Sequence, residues 1–263
     1  MDVAGLRLAM AAFFGAMSVW AFLSRGCMGS ACGMVPRVAR DAEAQARLHE
    51  VLLRRSCLEA MPAAAGVAVA TGDAALAVLA LATTISLALL YAACTVLLAV
   101  GLFAGYLRLR HLGGRRVAAL QARTPFDVVP PYAYAIALAV AFAPFVALRV
   151  APLAAVVVTL ASLAILAIAW QVASLPALIT GDDVPVERFA DARIREVRTT
   201  NLIGVAAAPV FVFLVFTQGG TAAQTTIAVA TFAVVLATVV RQSVLVCRPP
   251  DAAELARWRA LHA

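Results

Sequence analysis

The sequence predicts an all-α fold, a polytopic transmembrane helical bundle of seven spans with the N-terminus outside or lumenal and the C-terminus inside. Three observations predict it. The 263 residues are 64% hydrophobic and only 13% charged, with a mean hydropathy of +0.95, whereas a soluble domain is about half apolar and a quarter charged. Several apolar runs are long enough to cross a hydrocarbon layer of about 30 Å. The arginines fall almost entirely on one side of the resulting topology, as the positive-inside rule requires.

The spans are read in order at residues 6–23, 57–72, 74–107, 132–148, 152–179, 202–217 and 222–246. The first has a weak n-region, Asp2 set against Arg7, and no small-x-small site before Arg25, so it is read as an uncleaved helix. A basic segment, 39–55, continues as a helix with a solvated face into the second span. The second and third spans are separated by a turn at Thr71-Gly72-Asp73, because a single helix from Cys57 to Leu107 would be about 75 Å long. Pro62, Pro144 and Pro209 are expected to kink their spans. The fifth loop, 182–198, carries five acids and four arginines and is read as a second solvated helix. Thr217-Gln218-Gly219-Gly220 supplies the last turn. The small residues at 63–66 and 204–208 suit close helix packing.

Counting arginines selects seven spans over six. With the turn at Gly72, one side holds 19 of them and the other only Arg7 and Arg149. Merging the second and third spans would destroy that asymmetry.

All 21 basic residues are arginines. The absence of lysine excludes a Schiff-base retinal or pyridoxal protein and a Walker-A nucleotide site. The five cysteines, Cys27, Cys32, Cys57, Cys94 and Cys247, are scattered and complete no four-ligand metal set. His49, His111 and His262 lie in loops or the tail, which argues against a buried bis-histidine haem. Glu59 is the one acid read within a span, near the inner interface, and an ionisable group there is a candidate functional residue. No metal or resident cofactor is expected.

The segment Ser56-Cys57-Leu58-Glu59-Ala60-Met61-Pro62 opens the second span after a basic loop. It resembles the Asn-Cys-x-Glu/Asp-x-x-Pro stretch of the MAPEG family of glutathione- and eicosanoid-metabolising membrane proteins. Tyr91 falls near that family's Arg-x-x-Tyr element. The resemblance implies that residues 1–150 form a four-helix MAPEG-like membrane bundle, and that Glu59, Tyr91, Arg54 and Arg55 line a ligand site for which glutathione would be the cofactor. Residues 151–263, with three further helices and a short basic tail, have no counterpart in the family. The chain departs from the pattern at Ser56, Leu52 and Ala88, where the family has one asparagine and two arginines. Those groups hold glutathione and activate its thiol, so a scaffold without catalysis is expected.

The leading expectation is therefore a structural or accessory subunit of a larger membrane complex. Its partners would be the bilayer and other membrane subunits or further copies of the chain, not nucleic acid. An alternative is a small-solute transporter of three helices, a linker helix and three helices, suggested by the similar segments 54–58 and 198–202. Thr83, Thr84, Ser86, Tyr91, Thr95 and Gln171 would then supply its midplane site. A glutathione-dependent transferase is a further alternative.

Overall fold

The computed structural model describes residues 84–112, 124–147, 151–175, 184–217 and 222–247, together with Ala12, Gly15, Gly72 and Ala75. Five α-helices occupy the described segments: α1 (Thr84–Leu112), α2 (Pro131–Phe142), α3 (Pro152–Ser174), α4 (Val184–Phe216) and α5 (Ala222–Cys247). Two short 3-10 turns, Pro125–Asp127 and Ala143–Ala147, flank α2, and the described residues include no strand.

Local chemistry sets the helix ends. Pro131 and Pro152 occupy the first positions of α2 and α3, where the missing N–H breaks no helical bond. Pro144 falls near the end of its span, and the chain tightens there into the 3-10 stretch. α3 stops short of residue 179 because Leu175 is extended, with ψ 143°, as the residue before Pro176 prefers. α4 ends at Phe216, and Thr217 is a turn residue where the last turn is expected; Gln218, Gly219 and Gly220 lie outside the described residues.

Three helices contain stretches long and apolar enough to cross a membrane by length and composition: Pro152–Ser174, Asp191–Val215 and Ala222–Arg241. Ala88–Gly101 and Pro131–Val146 are shorter apolar stretches. The Asp191–Val215 window has the lowest mean hydropathy of the three, 1.6, and the largest buried share, 61%. α4 is thus the central helix; a helix surrounded by protein needs less apolar surface than one facing lipid.

The packing is inverted relative to a soluble protein. Two apolar clusters form the core and are built mostly from alanines: Ala88, Ala92, Ala151, Ala154, Ala155, Ala161 and Ala228 in one, Ala99, Ala137, Ala141, Ala169 and Ala206 in the other. The large side chains lie outside, with Leu153 74% exposed and Leu160, Val229, Leu236 and Val240 more than half exposed. Small residues inside let helix backbones approach, and bulky apolar residues outside suit a hydrocarbon solvent. The described helices therefore fit a membrane-embedded protein.

The same clusters give the helix directions. The first joins the N-terminal parts of α1, α3 and α5 to the C-terminal part of α4. The second joins the C-terminal halves of α1 and α3 to α2 and to the segment of α4 around Leu202. Successive helices therefore run antiparallel. Phe126, Tyr134 and Trp170 close one end as mutual edge-to-face pairs, with centroids 5.4–6.1 Å apart. Replacing Trp170 with leucine removes two of these pairs and is expected to cost about 1–3 kcal/mol, measured as a lower unfolding midpoint in mild detergent.

Two expectations are corrected. Gly72 and Ala75 are both helical, so the turn assigned to Thr71-Gly72-Asp73 does not fall on Gly72. A single glycine weakens a helix by roughly 1 kcal/mol and does not by itself end one. The fifth loop is helical from Val184 and runs into the sixth span as the first part of α4, but its face is not solvated throughout, because Asp191, Arg193 and Arg195 are buried.

Candidate functional site

The chemically richest part of the described chain is the charged end of α4. Asp191, Arg193, Arg195, Thr199 and Thr200 are buried, and Glu196 and Arg198 are partly buried. Asp191, Arg195 and Thr199 recur every four residues, so they share one face of the helix. That face continues into Leu202 and Ala206, which belong to the apolar core. The helical register that buries the core also carries these polar groups inward.

Arg195 is 1% exposed and makes two bonds. It pairs with Asp191, 2% exposed, one turn earlier. It also donates to the carbonyl of Leu175 at the C-terminal end of α3. A cation at that position offsets the partial negative charge of a helix C-terminus. Arg195 therefore ties α4 to α3.

Glu196 ties α4 to α5. Its two oxygens accept from different arginines: Oε2 from Arg193 at 3.4 Å and Oε1 from Arg241 of α5 at 3.2 Å. The Arg241 side chain is 37% exposed, so solvent screens this pair and its worth is at the low end for ion pairs. Glu196→Gln is expected to lower stability by about 0.5–1 kcal/mol, and the loss should shrink in high salt. A stability series in low and high salt checks both parts.

The arrangement is suited to holding helices together. Within it, acids are matched by arginines, and the strongest donor closes a helix end. Among the described residues no group of three or more His, Cys, Asp or Glu is placed to hold a metal ion.

The sequence-derived candidates stand apart from this cluster. Tyr91 lies on α1 and is half-buried, one turn before the buried Cys94. Glu59, Arg54 and Arg55 lie outside the described residues. Of the residues expected to furnish a midplane site, Thr95 is buried on α1 and Gln171 is exposed on α3. Glu59 is also not the only acid in an apolar stretch, since Asp191 and Glu196 fall within one. Sequence reasoning placed both in a solvated loop. The signal that locates them is the absence of any glycine or proline between Val186 and Ile203, which lets the helix and its face run unbroken from charge to core.

No family model, curated protein or solved structure matches the chain.

Proposed function

We propose that the protein is a multi-pass accessory subunit of a larger membrane complex, oriented with the charged end of the bundle inside. The observation that carries this reading is the surface of α5. Only 17% of its apolar window is buried in the chain, and Val229, Phe232, Leu236, Val240 and Val244 are exposed along it. At the same time the helix is held to α4 by Arg241 and by close small-residue packing. A helix anchored on one side and open on the other is suited to receive a neighbouring subunit. The seven-span topology belongs to the same reading; it needs the chain to reverse between the second and third spans at a position other than Gly72, and the 19-to-2 division of arginines that such a reversal gives supports it. A MAPEG-like scaffold over residues 1–150 belongs to it too, since the positions that would grip glutathione are replaced.

Membranes containing the native protein, solubilised in a mild detergent, test it. The chain is expected to migrate in a species several times its own 27.3 kDa. Phe232→Ala combined with Leu236→Ala should release it while leaving the monomer folded. Migration as a monomer, or a complex indifferent to both substitutions, would overturn the reading, because lipid alone does not require those side chains.

A second reading, small-solute transport, has one observation in its favour: Thr95, Thr159 and Ser162 are buried polar residues in the interior of the bundle. Solute flux into proteoliposomes discriminates the two functions.

A further inference from the structure

A layer of hydroxyl residues lies between the two apolar clusters. In α1, Ala92 belongs to the first cluster and Ala99 to the second, and the buried Thr95 stands between them. In α3, Val158 and Ala161 belong to the first and Ile165 to the second. Ser162, at the same boundary, is 0% exposed, and Thr159, one turn earlier beside the first cluster, is 3% exposed. In α4, Ala206 belongs to the second and Val210 to the first, with Pro209 between them inside the helix. In α5, the buried Thr231 follows Ala228 of the first cluster by one turn.

These groups are not equally satisfied. Thr95 donates to the Ala92 carbonyl and Thr231 to the Ile227 carbonyl, each at 2.8 Å within its own helix. Thr159 Oγ1 and Ser162 Oγ are buried and have no hydrogen-bond partner in the protein. They are three residues apart and therefore share a face of α3. Two buried hydroxyls of α3, one turn apart, thus stand without acceptors.

Buried polar groups in folded proteins are almost always bonded, to protein or to ordered water, and in a bilayer the requirement is stricter because bulk water is absent. No charged side chain stands at this depth among the described residues, so a neutral guest fits and an ion does not. A guest of water's size can give and accept the two to four bonds such a position needs. We infer that the layer is a binding site for one small uncharged hydrogen-bonding molecule, a buried water. It accepts from Thr159 and Ser162 of α3 and donates to a neighbouring backbone carbonyl. The site lies inside the bundle against α3, and it goes beyond the accessory-subunit reading because it is independent of any partner.

The sign of a stability change tests it on the full-length chain in lipid nanodiscs. Thr159→Val keeps the shape and removes the hydroxyl; Ser162→Ala removes the other. With a bound water, each variant strips a bond from the guest and the melting temperature falls. With an empty site, each removes an unpaired buried hydroxyl, and the melting temperature stays or rises, which overturns the inference. Water-edited solid-state NMR in bilayers separates hydration from packing. Magnetisation should pass from water to the Thr159 methyl several-fold faster than to Val158 in the wild type, and transfer to the neighbouring Ala155 should fall in the Thr159→Val/Ser162→Ala pair. Equal transfer to Thr159 and Val158 in the wild type overturns the inference whatever the melting temperatures do.

Discussion

Arg195→Met, made alone, is expected to lower the stability of the bundle by about 3–5 kcal/mol, the cost of breaking a buried ion pair from one side. The substitution takes from Asp191, 2% exposed, the arginine one turn away, and leaves the Leu175 carbonyl without the donor that closes α3. Asp191→Leu alone should produce a loss of the same order by stranding the guanidinium. The double variant Asp191→Leu/Arg195→Met is the informative one. It removes both charges together, so neither is left uncompensated, and buried pairs replaced by apolar residues of similar volume are often neutral in stability. The double variant should therefore recover most of what either single variant loses, short of the roughly 1 kcal/mol attached to the helix-end bond. Unfolding of all three variants in denaturing detergent, analysed as a double-mutant cycle, measures the coupling. Additive losses would mean that the two side chains act separately.

The second large effect is expected at Gly204. A Cβ built there lies 2.3 Å from Thr238 Oγ1 and 3.2 Å from Thr238 Cβ, so α4 and α5 touch at this point with no room for a side chain. Gly204→Val should cost about 1–3 kcal/mol through forced separation of the two helices, despite valine's better helix propensity. Thr238→Ala removes the nearer obstacle but leaves its Cβ, so the pair Gly204→Val/Thr238→Ala should recover part of the loss. The Thr238 hydroxyl donates to the Val235 carbonyl at 2.7 Å, and that local bond is a minor term in the comparison. A Gly204→Val protein as stable as the wild type would show that the helices slide apart without penalty.

The helical, membrane-type character of the chain was legible in the sequence because it depends on quantities that sum along the chain. Apolar run length, the proline positions at 131, 144 and 152, and the small residues at 204–208 each translate directly into local structure. The ends of the helices were less legible. Leu175-Pro176 stops α3 earlier than hydropathy alone suggests, since hydropathy does not register a backbone preference. The buried charges of α4 were misplaced for a related reason. Asp191, Arg193 and Arg195 read as solvent-facing residue by residue, and only the four-residue spacing of Asp191 and Arg195, continued through Thr199 into the core, reveals that this face turns inward. The pairing of Glu196 with Arg241 joins positions 45 residues apart and depends on which helices become neighbours, which one sequence does not encode in any local pattern. Of the proposed ligand residues, Tyr91 alone is described, and it stands on a different helix from the charged cluster.

The placement of those charges has a consequence for biogenesis. Arg195 and Asp191 lie one turn apart on a single helix and can neutralise each other as soon as that helix forms. Glu196 takes one partner, Arg193, from its own helix and the other, Arg241, from α5, which is synthesised later. A nascent chain that has delivered α4 but not α5 to the insertion machinery has only one of the two arginines in place, and α4 remains the least hydrophobic of the three long apolar helices until its neighbours enclose it. Lateral release into lipid would then be favoured once α3, α4 and α5 can leave together, so that α5 completes a three-helix unit as well as extending the chain.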